Sequence, residues 1–380
     1  MGRMSNKGFG TQLDGCLWWD AGSQRKTKIA GYAGARDAFQ TNRYFLSAKR
    51  SQGPDPTAGP AALLKAFCRH WQSRWVEAYT SNPEVGPIAK AAIRKRQGST
   101  FEARNVAMIH RLLGERLAGL PVARSFDLNG DFARPLSFLL AAELLGVTLQ
   151  PDLCHQAAEI GVVQIAQELA PEDKLPAYRA LQSLHRALHG CVESGVLEPD
   201  GLMRRFLEIE DEHGLDRDFS LMSAANFLAG SVTLGTAMAL CLDRITKSEE
   251  LTLLARTIDH MLPAIVEEIL RLYPPARNIR LMTRSAETAE PELLFFSVAR
   301  ANTDPAAFPK PEEMACDRVG PPHLSFGSGT HICDGVRLVR LTLKVAVPEI
   351  LNRMQGLEVR ETGPMKFAAC FDRLAPPPAQ

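Results

Sequence analysis

Residues 219–242, FSLMSAANFLAGSVTLGTAMALCL, run 24 positions without one charged side chain, between Asp218 and Asp243. A stretch that apolar must be hidden from water along its whole length. A lipid bilayer could hide it, since about 20 apolar residues span one. The centre of a large helical protein could hide it too. Ser, Asn, Thr and Gly interrupt the run, and its flanking charges are acidic rather than basic, which favours the buried helix over the span. A helix buried on every side needs other helices around it. The sequence supplies them, with apolar residues at three- and four-residue steps in LLKAFCRHWQSRW, VAMIHRLLGERL, LSFLLAAELLG and LTLLARTIDHMLPAIVEEILRLY.

The chain is long enough, at 380 residues, to enclose a large core and a cofactor. With 45% hydrophobic and 23% charged residues it is neither disordered nor collagen-like. A net charge of +1 gives no global attraction to nucleic acid or to an acidic membrane. Eight cysteines without a C-x-x-C pair argue against a disulfide framework or a zinc site and fit a reducing compartment. The start, MGRMSNKGFGTQLDG, has no signal-peptide core, so a cytoplasmic protein without a membrane anchor is expected. The organisation expected is one domain over 1–380, mainly α with a minor β portion. Residues 1–60 form a small β-containing part with short β-like runs in CLWWD and KIAGYAG. Residues 61–275 are helical and end at Pro274 and Pro275, and 276–380 hold a loop region and C-terminal strands.

The segment 303–327 is rich in Pro and Gly and too long for an ordinary connection, which marks it as functional. It leads into PHLSFGSGTHICDG, where a lone Cys333 follows a glycine-spaced loop at the start of a helix. Gly327 and Gly329 permit backbone angles and close approaches that side chains forbid. A helix N-terminus aimed at the sulfur favours thiolate over thiol. A thiolate facing a flat cofactor can ligate haem iron, whereas a buried structural thiol is the plainer alternative.

FGSGTHICDG resembles the haem-binding loop of the cytochrome P-450 superfamily, F-G-x-G-x-H-x-C-x-G, with every fixed position present. The resemblance implies haem b (iron protoporphyrin IX) with Cys333 as its axial ligand, in a loop shaped by Phe326, Gly327 and Gly335. Glu268 and Arg271 resemble the family's structural Glu-x-x-Arg pair, and Asn302, Asp304 and Pro305, with Arg318, resemble the segment that leads into the loop. LAGSVTLGT resembles the oxygen-side helix, Ala-Gly-x-(Asp/Glu)-Thr: Ala229, Gly230 and Thr233 match, while Val232 stands where the acid should be. Arg94, Lys90, Arg280 and His331 fall where the family pairs with the haem propionates. The implied fold buries haem between the long oxygen-side helix and the Cys-loop helix.

The implied activity is insertion of one oxygen atom from O2 into an apolar small molecule of the terpenoid, steroid-like, fatty or aromatic kind. Electrons would come from a separate ferredoxin and its NAD(P)H-dependent reductase. Arg337, Arg340 and Lys344, at i, i+3 and i+7 on the helix after Cys333, form a basic stripe suited to an acidic redox protein, which a plain solvated face explains as well. The expected substrate lining is Ala225, Leu228, Ala229, Val232, Asn278 and Ile279, with parts of 72–89 and 150–175. Because valine relays no proton, peroxide use, coupling or rearrangement is the alternative, and a non-catalytic haem sensor is a third reading. The hairpin before Asn302, RSAETAEPELLFFSVARAN, is shorter than the family's.

Overall fold

The charge-free stretch lies within a single helix, Asp218–Thr246. The chain is described by a computed structural model covering residues 25–28, 31–40, 84–150, 152–165, 175–257, 260–284, 291–363 and 365–376, with isolated positions between 59 and 82. The expected run CLWWD and the stretches 72–77 and 166–174 lie outside the described residues.

The first helices are α1 (Gly31–Gln40), α2 (Val85–Arg96), α3 (Glu102–Ala118), α4 (Arg134–Leu145), α5 (Leu153–Ile165), α6 (Leu175–Glu193) and α7 (Leu202–His213). The central helix is α8. After it come α9 (Glu249–Thr257), α10 (Met261–Leu272), α11 (Val298–Asn302) and α12 (Val336–Arg353). GYAG, expected as β-like, opens α1 instead: Tyr32, Ala35, Ala38 and Phe39 recur at helical spacing and are all buried.

Helices α4–α7, α9, α10 and α12 pack against α8. Asp218 in its first turn and Arg244 in its last complement the helix dipole. A Cβ at Gly235 would stand 2.8 Å from the Arg134 nitrogen and 2.9 Å from the Ala133 carbonyl. The bare glycine therefore lets the start of α4 lean on the middle of α8. Among the described residues α8 alone is long and apolar enough to cross a membrane, and 78% of its most apolar window is buried inside the protein.

Strands are short: β1 (Arg25–Lys28), β2 (Phe126–Asp127), β3 (Asn278–Arg284), β4 (Pro291–Ser297), β5 (Met354–Gln355), β6 (Glu358–Gly363), β7 (Lys366–Cys370) and β8 (Arg373–Leu374). They form three sheets, ordered β1-β4-β3, β2-β7-β6 and β5-β8. β1 runs parallel to β4, with Arg25 opposite Glu292, whereas β3 and β4 pair antiparallel. A large core fills the helical part, and a smaller one joins Tyr32 and Phe39 of α1 to Phe296 and Phe308. There the ring pairs Tyr32–Phe308 and Phe39–Phe296 meet edge-on at 5.4 and 4.9 Å.

Candidate active site

The loop before α12 is folded back on itself by two glycines in the left-handed region, Gly327 at φ 69° and Gly329 at φ 59°. A Cβ at Gly329 would meet the Gln40 Cα at 2.9 Å, so the loop rests directly on the end of α1. The Cys333 amide donates to the Phe326 carbonyl at 2.7 Å, which closes the loop around the cysteine. The Gly335 amide reaches the sulfur, and α12 begins one residue later. The thiol is accessible because it opens on a cavity, yet it lies deep among protein atoms. That burial pushes the thiol above its ordinary range, against the pull of the Gly335 amide, and the neighbouring Asp334 adds to the rise. The helix start alone does not make a thiolate here; a metal cation bound to the sulfur would.

The cavity, of about 220 Å³, lies between α8 and α12. Its α8 wall is Ser223, Asn226, Phe227, Gly230, Thr233 and Leu234, with Ser231 at the margin. These positions recur every three or four residues and so share one helical face. The expected lining is corrected accordingly. Ala225, Leu228 and Val232 lie on the opposite face and, with Ala229, are at most 2% exposed in the bundle core. Ile279 packs against the smaller core, and Asn278 pairs with Ser297 at the end of β3, away from the cavity wall. Gly230 has open space where a Cβ would stand. The Thr233 hydroxyl donates to the Gly230 carbonyl at 2.8 Å, so it turns its lone pairs, not its proton, outward.

Behind the loop, Arg271 is 1% exposed and all five of its donors are used. Nε and Nη2 grip Glu268 at 2.7 and 2.9 Å, while the carbonyls of Asn302, Pro311 and Glu313 accept the rest at 2.7–3.0 Å. Arg318 joins Glu268 at 3.1 Å, and the Ala315 amide donates to the same carboxylate. Burial pushes the Glu268 carboxyl up, but these donors outweigh it and hold it below the usual range. Asn302 takes the Leu324 amide at 2.7 Å, and Asp304 takes the Tyr32 amide at 2.8 Å, which fixes the segment to α1.

On the α2 side, Arg94 lies 3.4 Å from the Asp334 carboxylate, and the Tyr79 hydroxyl donates to that carboxylate at 2.8 Å. Gln97 clamps the loop to α12, donating to the Asp334 carbonyl at 3.0 Å and accepting from the Leu338 amide at 3.0 Å. Lys90 stands over the Tyr79 ring at 5.8 Å. His331 sits in the turn Gly329–His331, and Arg280 lies on β3 with its side chain outside the described residues. Sequence reasoning missed Gln97 and Asp334 and reached Tyr79 only as an unnamed part of 72–89. Only Asp334 carried a signal, as an acid between the loop's cysteine and its last glycine.

The basic stripe is also altered. Arg340 makes a paired contact with Glu267 at 2.8 and 2.7 Å and lies over Phe326 at 5.1 Å. Its charge is therefore spent within the protein. Arg337 and Lys344 line a groove of about 640 Å³ on the face of α12 opposite the cavity.

One thiol, a wall left bare at Gly230, and Arg94 with Lys90 at the edge supply an iron ligand, an unobstructed approach to α8 and counter-charges for a cofactor's acids. That donor set fits haem. No protein-family model matches the chain. It is 29% identical over 309 residues to erythromycin C-12 hydroxylase of Saccharopolyspora erythraea, covering 76% of this chain and 77% of that protein. To mycocyclosin synthase of Mycobacterium tuberculosis it is 26% identical over 310 residues, covering 75% and 76%. Among solved structures, the ligand-free cytochrome P-450 TbtJ1 superposes with a TM-score of 0.72 at 21% identity, covering 92% of both chains. The open cytochrome P-450 Eryk from S. erythraea does so at 0.68 and 24% identity, covering 93% of this chain and 92% of that one. The P-450 fold shared along nine-tenths of the chain, curated relatives at 26–29% identity that include a hydroxylase and a synthase, and the cysteine loop facing a small-residue helix across one cavity together support assignment of the chain to the cytochrome P-450 superfamily.

Proposed function

We propose that this chain is a haem-thiolate monooxygenase acting on an apolar small molecule, with electrons from a separate ferredoxin and reductase. The observation that carries the reading is the single thiol of Cys333 facing Gly230 and Thr233 across one cavity. The relatives support it, since their names include hydroxylases and an N-oxygenase. Bound haem b supplies the oxygen-activating chemistry; the protein supplies its setting. Cys333 holds the metal, with Phe326, Gly327 and Gly335 shaping its loop. Arg94, Lys90, Arg280 and His331 balance the haem acids, and Arg94 as a planar fork suits a carboxylate. Gly230 leaves room above the ring, and Phe227 and Leu234 give the wall an apolar surface for substrate. Thr233 is the hydroxyl nearest in kind to a proton carrier on that wall, once its bond to the Gly230 carbonyl is exchanged for one to a ligand or water.

The test is the spectrum of the dithionite-reduced, carbon monoxide-treated protein. A cysteinate ligand gives a strongly red-shifted Soret maximum, and Cys333→Ala abolishes it. A Cys333→Ala protein with the same band overturns the assignment.

One observation supports a second reading. Among the described residues, Asp334 is the only carboxylate on the cavity wall, and it lies on the cysteine side rather than on α8. An enzyme driven by peroxide, or one that couples or rearranges its substrate, needs no acid on the oxygen side. Product formed with hydrogen peroxide alone, and none with O2, NAD(P)H and redox partners, would select that reading.

A further inference from the structure

The residue after the iron-ligating cysteine is an acid: burial pushes its carboxyl above the ordinary range, while the Tyr79 hydroxyl and the charges of Lys90 and Arg94 pull it back toward the ionised form. The Asp334 side chain is 20% exposed and lies on the wall of the cavity that Cys333 faces. Tyr79 donates one hydrogen bond to Oδ2 at 2.8 Å, and the Arg94 guanidinium stands 3.4 Å from Oδ1. Gln97 holds the Asp334 carbonyl and so fixes the backbone from which the carboxylate projects, while Tyr79 and Arg94 hold the carboxylate itself. Neither the proposed haem anchors nor the proton route on α8 uses this group.

We propose that Asp334 is a positioning residue that keeps one fixed negative charge beside the thiolate and thereby lowers the reduction potential of the iron. This rests on the haem-thiolate reading above. The physical reason is electrostatic: adding one electron to a site that already neighbours a thiolate and a carboxylate costs more than adding it beside the thiolate alone. A unit charge within about 10 Å, at an effective dielectric of about 20, shifts such an equilibrium by roughly tenfold. Arg94 moderates the effect, because it is shared between Asp334 and a haem acid. Tyr79 fixes the carboxylate's orientation through a donor that carries no net charge. The resting protein would thus be hard to reduce, a bias acting through the electron-transfer step rather than through substrate contacts.

The experiment is a mediator-equilibrated redox titration of the haem-loaded protein, one electron passing from the mediator to the iron with no bond made or broken. The wild type's carbon monoxide spectrum first establishes cysteinate-ligated haem, and failure there counts against the haem-thiolate reading and not against this one; the titration is then read on variants that show the same band. Asp334→Asn raises the reduction equilibrium about tenfold, which is about 59 mV for one electron. Asp334→Leu raises it in the same direction and serves if the Asn variant loads poorly. Asp334→Glu keeps the low potential, and Asp211→Asn, which removes an exposed acid on α7, leaves it unchanged. A potential that stays at the wild-type value in both neutral variants, or that rises equally in Asp211→Asn, overturns the proposal.

Discussion

Thr233 and Val232 are neighbours in the chain, but a helix turns by about 100° between them, so one lines the cavity and the other packs in the bundle core. Val232 is 2% exposed among apolar residues. Val232→Asp therefore buries an unpaired charge and lowers folding stability by roughly 3 kcal/mol or more, read as an earlier denaturation midpoint rather than as a faster enzyme. A variant as stable as the wild type would mean that water reaches this face. Thr233→Ala removes the wall hydroxyl and diverts reducing equivalents to hydrogen peroxide, whereas Thr233→Ser keeps them in product. The assay is product per NAD(P)H consumed, with peroxide measured in parallel; full coupling in the alanine variant would reduce Thr233 to a helix residue. Cys333 was legible in the sequence because every residue that defines its loop lies within ten positions of it. The partners of Asp334 were not, since Tyr79 is 255 positions away and Arg94 is 240.

At the level of elements, α10 carries two adjacent acids with different tasks. Glu268 is buried with Arg271 and Arg318, and losing Arg271 leaves the carboxylate to Arg318 and the Ala315 amide and removes the donor from the carbonyls of Asn302, Pro311 and Glu313. Arg271→Ala should cost about 3–5 kcal/mol and yield haem-free or insoluble protein; a soluble, haem-replete variant with slow turnover would contradict that. Glu267 faces the groove, where burial raises its carboxyl but bonds from His323 and Arg340 win and hold it at about 2. A depressed folded pKa means that its contribution is complete above its ordinary 4.5 and fades as pH falls toward about 2. Glu267→Gln should flatten the acid-unfolding curve in that window, and an unchanged curve would show that the pair is screened by solvent. The existence of α8 was plain from its missing charges, yet the face it turns to the cavity was not. A helix apolar on all sides carries no stripe to say which way it points, and the packing of α4–α7, α9, α10 and α12 around it decides.

Across the whole molecule, the face of α12 opposite the cavity keeps Arg337 and Lys344 at the groove, while Arg340 is committed to Glu267. Arg337→Glu with Lys344→Glu should slow reduction by an acidic ferredoxin, and added salt should slow the wild type in the same way. Stopped-flow reduction rates that ignore both changes would make this an ordinary solvated surface. The mainly helical class was legible from periodicity, but the parallel pairing of β1 with β4 was not, because no local pattern in Arg25–Lys28 names a partner so distant. That pairing also sets a timetable for biosynthesis. Arg25 lies opposite Glu292, about 270 positions on, so at a ribosomal pace of about 5–20 residues per second the first strand waits roughly 15–50 s for its mate. Through that interval it is an open edge able to recruit a strand from another nascent chain, which makes the yield of native protein sensitive to how closely ribosomes are spaced on the message and to the chaperones that shield the emerging N-terminal end.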